Sequence, residues 1–187
     1  MIPLSHLWLA IIGSAVAVFV VSSLLHMLFT YHNSDYKPFS NEDDVRAAIN
    51  KGGAGAGMYV LPYCPDMKGM REPAMIKKMT EGPTGFVLLR APGAPKMGPS
   101  LTQWFGLTLA LSFLAAYVAS LTIAPGTARM LVLRIVSAVA FLGYAGVQAQ
   151  NSIWRAEPWG STFKNIIDGL IYSLVTGAVF AVTWPAA

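Results

Sequence analysis

In "KNIIDGLIYSLVTGAVFAVTW", Lys164 to Trp184, one carboxylate, Asp168, stands inside an otherwise apolar run. Ionisable side chains in such runs turn toward protein or water and mark proton, ion or ligand sites. Two other parts of the chain offer partners. His26, Tyr31 and His32 close the first apolar run, while Gln148, Gln150 and Asn151 close the third. If successive runs cross a bilayer in alternation, all of these reach the side where Asp168 lies. His26, His32, Gln148, Asn151 and Asp168 are therefore the candidate ligand or proton site. The competing reading is structural, with interhelical hydrogen bonds of about 0.6 kcal/mol each. Arg134 matches Asp168 by sign, but alternation puts it at the opposite end.

The elements that must position these residues are four charge-poor runs. The 187 residues are 55% apolar and only 12% charged, against about 25% charged in a soluble domain. Spans are expected near 5–30, 101–123, 129–149 and 163–184, each close to the roughly 20 apolar residues that a hydrocarbon core requires. The first run lacks a basic leader and exceeds the apolar length of a signal peptide, so it reads as a span. From a start near Phe163, Asp168 is expected about 7–8 Å inside the fourth span. Trp104, Trp154, Trp159 and Trp184 fall at span ends, where indoles favour headgroups. Ser161 or Thr162 is expected to cap the fourth helix.

The fold class that follows is an α-helical integral membrane protein with four transmembrane helices. Its organisation is residues 1–30 as the first span, 31–100 as a small α+β insert outside the membrane, and 101–187 as spans two to four. Within the insert, Ser40 and the acidic run Glu42–Asp44 predict a helix start, and Gly52 its stop. Met58–Leu61 and "GFVLLRA" predict strands, with a helix between them opened by Pro73 and closed by Gly82. Few large apolar residues are available to it, so the insert is expected to rest on the bundle or on a partner.

Lys and Arg concentrate on the insert side, among them Lys37, Lys96, Arg155 and Lys164. The positive-inside rule then predicts a cytoplasmic insert and external termini. The same asymmetry accounts for the net charge of +4 without nucleic acid as a partner.

Gly169, Ser173, Gly177 and Ala181 recur every four residues, a helix-packing stripe suited to a neighbour within the chain or to a homo-oligomer. Ser112, Ala116 and Ser120 make a weaker one. Cys64, Met67 and Met70, with Met75 and Met79 beyond, offer soft donors for copper or a similar metal. A second cysteine is missing, so no cofactor is the primary expectation. "KGGAGAG" lacks the Gly-Lys-Ser/Thr ending and the preceding strand of nucleotide loops. No hydrolase motif is present, and the reading leans away from an enzyme.

At "LFTYHNSDYKPFSNEDDVRAAI", "PYCPDMKGM" and "IWRAEPWGSTFKNIIDGLIYSLVTG" the chain resembles a family of bacterial hypothetical integral membrane proteins with four helices. The resemblance implies the four-span architecture and carries no activity and no residue roles. Two functions remain in view. The first is a non-enzymatic accessory or scaffolding subunit of a membrane assembly, packing through the small-residue stripes as a homo-oligomer or in a larger complex. The alternative handles a small solute, a proton or a metal through the polar cluster around His26 and Asp168.

Overall fold

The computed structural model describes residues 2–186. Four helices long and apolar enough to cross a membrane dominate it. Helix α1, Trp8–Leu28, follows a short 3-10 turn at Leu4–Leu7. The insert then contributes α2 (Glu42–Lys51), β1 (Gly57–Leu61), α3 (Pro73–Glu81) and β2 (Gly85–Leu89). The second long helix is α4, Met97–Thr122. The third consists of α5 (Arg129–Tyr144) and α6 (Gln148–Arg155), separated by turns at 145–147. The fourth is α7, Trp159–Thr183.

Each long helix packs on its neighbours in chain order, and α1 closes the ring against α7. At one end the Ile2 amide donates to the Ser120 carbonyl, the Gly126 amide to Pro185, and the Trp184 indole to Ala124. At the other end the residues after α1 meet the first turns of α7. The helices therefore alternate in direction.

Small residues let the helices approach. Ser14, Ala15, Ser112, Ala115, Ala116 and Ser173 are each inaccessible to solvent. Ser14 Oγ donates to Ser112 Oγ at 2.9 Å, linking α1 to α4. Bulky apolar residues face outward, as at Leu9, Ile12, Val16, Val20 and Leu24 of α1. Soluble bundles bury these residue types instead.

The fourth helix begins at Trp159, four residues before the expected start. Pro158 is its N-cap, and the Pro158 carbonyl accepts from the Ser161 and Thr162 amides. Neither hydroxyl caps the helix as predicted. The Thr162 hydroxyl instead bonds Ser152 of α6. Asp168 thus lies about 13 Å along α7 at 1.5 Å per residue, deeper than expected. The third helix does not run unbroken through 149 either. Gly146 weakens it there, and α7 presses against the same spot. A Cβ on Gly169 would lie 2.8 Å from the Ala145 Cβ.

In the insert, β1 and β2 pair antiparallel, from Gly57↔Leu89 to Leu61↔Gly85. Pro73 opens α3, and Gly82, at φ 66°, ends it as expected. Ser40 is not the cap of α2. That position is Asn41, whose carbonyl accepts from the Asp44 and Val45 amides without a side-chain bond. The carboxylates Glu42, Asp43 and Asp44 occupy the first turn, where the helix dipole favours them. No residue in α2, α3 or either strand is buried. The expected support from the bundle is slight, with Ala156 joining Val60, Met70 and Phe86 around one shallow cavity.

Candidate functional site

The backbone leaves helical geometry at Phe29, and Tyr31–Asp35 coils into a 3-10 turn. That turn would be a weak element alone, since 3-10 hydrogen bonds are poorly aligned. Lys164 of α7 holds it in place. Its Nζ donates to the Tyr31 carbonyl at 2.7 Å, to Ser34 Oγ at 2.7 Å and to Asp35 Oδ1 at 2.6 Å. One helical turn further on, Asp168 receives what the clamp delivers. Tyr31 donates its hydroxyl to Asp168 Oδ1. His32 Nε2 lies 2.9 Å from Asp168 Oδ2, and His26 Nε2 lies 3.9 Å from the same oxygen. The two imidazoles stack with centroids 5.2 Å apart.

Each imidazole is also held at its other nitrogen. His26 Nδ1 meets the Ser22 carbonyl at 3.0 Å, and His32 Nδ1 meets Asp35 Oδ2 at 2.7 Å. With a carboxylate at both nitrogens, His32 can donate to both only as the imidazolium. Burial pushes its pKa down, but the bonds to Asp168 and Asp35 outweigh this and the net shift is upward. Burial, and then the bond to Asp168, raises the Tyr31 phenol to about 12. Lys164, followed by His32, lowers the Asp35 carboxyl to about 2. The Asp35 and Asp168 carboxyl groups thus face Lys164 and the His32 imidazole. Asp168 itself is nearly enclosed, its side chain only 5% exposed.

His26 and Asp168 also belong to the wall of a cavity of about 470 Å³ between the long helices. Its aromatic side is formed by Trp104, Tyr144 and Tyr172, whose ring centroids lie 5.7–6.2 Å apart. Trp104 Nε1 donates to Ser22 Oγ at 2.8 Å. Trp104 is therefore an interior wall and not the interfacial anchor expected of it. The Tyr144 and Tyr172 hydroxyls are buried without a well-formed hydrogen bond among the described residues. Buried polar atoms left in this way are costly, and a bound water or ligand is one explanation for them.

Of the residues singled out from the sequence, the fold joins His26, His32 and Asp168 directly. Gln148 lines the cavity, with its amide on the Tyr144 carbonyl at 3.3 Å. Asn151 uses its backbone carbonyl to end α6, accepting from the Glu157 amide. The stripe Gly169, Ser173, Gly177 and Ala181 is buried. A Cβ on Gly177 would strike Ser137 Oγ and come within 2.7 Å of the Leu133 carbonyl, so the stripe serves the contact with α5. Cys64 and Met70 share the wall of the shallow cavity in the insert, but Met67 projects into solvent. The Cys64 thiol donates to the Asp66 carbonyl at 3.2 Å.

The chain matches no family model, no curated protein and no solved structure. Its site is therefore read from its own residues. Asp35, Lys164, Trp104, Tyr144 and Tyr172 were not among the candidates from sequence. Two of them had a visible signal: Asp35 follows His32 by three residues and Lys164 precedes Asp168 by four, spacings that share a helical face.

Proposed function

We propose that this protein crosses the bacterial cytoplasmic membrane four times and handles a proton or a small polar solute at the His26–His32–Asp168 cluster. The observation that carries this reading is Asp168 itself. It is a carboxylate with a 5% exposed side chain, held between Tyr31 and His32 and bordering a 470 Å³ cavity. Interhelical glue would need only one such contact, whereas here Tyr31 and His32 of the 3-10 turn and His26 of α1 all face the same carboxylate. Membrane insertion is supported by the outward bulky side chains and inward small ones, the pattern expected when lipid is the solvent. The excess of Lys and Arg supports a cytoplasmic insert and external termini.

The test is made in sealed vesicles carrying the purified protein and an internal pH dye. After an external acid pulse, Asp168→Asn should abolish the protein-dependent pH change while retaining the native elution profile. An identical trace in the variant would remove the carboxylate from any such role.

A second reading has its own support. Met58, Val60, Phe86 and Leu88, which share one face of the paired strands, are apolar and exposed, as on a surface that docks a partner. Under that reading the chain is an accessory subunit of a membrane assembly, with the insert as its contact. Mild extraction should then co-purify a stoichiometric partner, which Leu88→Lys releases.

A further inference from the structure

We infer that His26, His32 and Asp168 form a binding site for a divalent first-row transition-metal ion, with open coordination positions on the cavity side. This deepens the reading of the cluster as a ligand site and rests on it. Three observations carry it.

The donor set is the first. Nitrogen from each imidazole and oxygen from the carboxylate all lie within 4.8 Å of one another. Zinc binds such donors at about 2.0–2.2 Å, which separates two ligands on one tetrahedral ion by about 3.3 Å. The pair His32–Asp168, at 2.9 Å, and the pair His26–Asp168, at 3.9 Å, bracket that value. Closing the set requires movement mainly of His26, whose side chain is 52% exposed.

The second is the support behind the donors. Imidazole ligands almost always give their other N–H to a carboxylate or a backbone carbonyl, which fixes the tautomer and the ring. Here Asp35 occupies that position for His32 and the Ser22 carbonyl for His26, and an ion would take the place of the proton that His32 Nε2 gives to Asp168, which leaves to solvent. Lys164 in turn fixes Asp35 at 2.6 Å. Among the described residues no other group of His, Cys, Asp and Glu converges in this way.

The third is the neighbouring space. Three protein ligands leave a four-coordinate ion one position short, as in catalytic and transport sites rather than closed structural ones. Two histidines with one carboxylate also suit iron(II). His26 and Asp168 border the aromatic-walled cavity, so an added ligand has room beside the ion.

The experiment uses the full chain in mild detergent, stripped by a chelator and titrated with Zn²⁺ by calorimetry. Co²⁺ serves as a second probe, read by its visible absorption. One ion per chain is expected. His26→Gln should weaken binding at least about tenfold while the metal-free variant still unfolds cooperatively on heating. Asp35→Asn should weaken it by about 10–100-fold through the orientation of His32. Cys64→Ser should leave the affinity unaltered. The inference is overturned by absence of saturable binding, by binding indifferent to both His26→Gln and His32→Gln, or by loss of binding in Cys64→Ser. If Zn²⁺ fails to bind while the Asp168-dependent pH change in vesicles persists, the metal alone is wrong. Loss of both sinks the cluster as a ligand site.

Discussion

Gly169 is where the packing of α7 and the position of Asp168 meet, and Gly169→Ala tests the connection. A Cβ there would lie 2.8 Å from the Ala145 Cβ, 3.1 Å from the Tyr144 carbonyl carbon and 3.2 Å from the Ala145 Cα, where ordinary contact begins at 3.4 Å. None of the three atoms can rotate aside, because all belong to the backbone or are fixed to it. Gly106 on α4 supplies the control, since a Cβ there meets nothing within 4 Å. Both substitutions gain the roughly 1 kcal/mol by which alanine favours a helix over glycine. Only Gly169→Ala adds the overpacking term of about 1–3 kcal/mol. The difference between the variants is therefore that term. For a chain of this length it corresponds to a melting temperature about 2–12 °C lower for Gly169→Ala than for Gly106→Ala, at 2–4 °C per kcal/mol. Thermal unfolding of the two in the same detergent measures it. Equal melting temperatures would refute the close approach of α7 to the break in the third helix.

Trp104→Phe keeps the aromatic wall but removes the donor to Ser22, and should cost about 0.5–1.5 kcal/mol by thermal or denaturant unfolding. Acid weakens the turn at residues 31–35 in a defined window. Asp35 is depressed from 3.8 to about 2, so its contribution is complete above pH 3.8 and is lost as pH falls through 2. Between pH 4 and 2 the native chain should therefore lose more stability than Asp35→Asn, as followed by melting temperature. A single cysteine placed at Lys51, in a Cys64→Ser background, should resist an impermeant thiol reagent on intact cells and react after lysis. Labelling of intact cells would reverse the sidedness of the insert.

The long helices were legible because lipid-compatible runs exclude charge along their whole length, and the gaps between charges delimit them. Elements of the insert were legible for a different reason: Pro73 and Gly82 act locally, each through its own backbone dihedral. What escaped was set by contacts between residues far apart in sequence. Tyr31 and Asp168 are separated by 137 positions, and no periodicity reports such a pairing. Trp104 was misplaced because an indole near a helix end has two good environments, a headgroup region or a buried acceptor, and Ser22 supplies the second. The start of α7 was missed since Trp159–Thr162 is too polar for a hydropathy boundary, although Pro158 marks it plainly. The convergence of His26, His32 and Asp168 was anticipated from threading alone. Asp35 and Lys164 carried a spacing signal beside His32 and Asp168, but their bond to each other, across 129 positions, was set by the fold.

Because glycine occupies positions 169 and 177, α7 lies directly against the third helix there, with only the small Ser173 side chain between the two contacts, and has little room to turn. Asp168, next to Gly169 in the chain, inherits that rigidity and cannot follow an arriving ligand. His26, in the last turn of α1 and half exposed, has only its bond to the Ser22 carbonyl and its stacking on His32 to give up before it turns. Capture at this site would then proceed by closure of one mobile imidazole onto a stationary oxygen, and the rate of release would be governed by the first helix rather than the fourth.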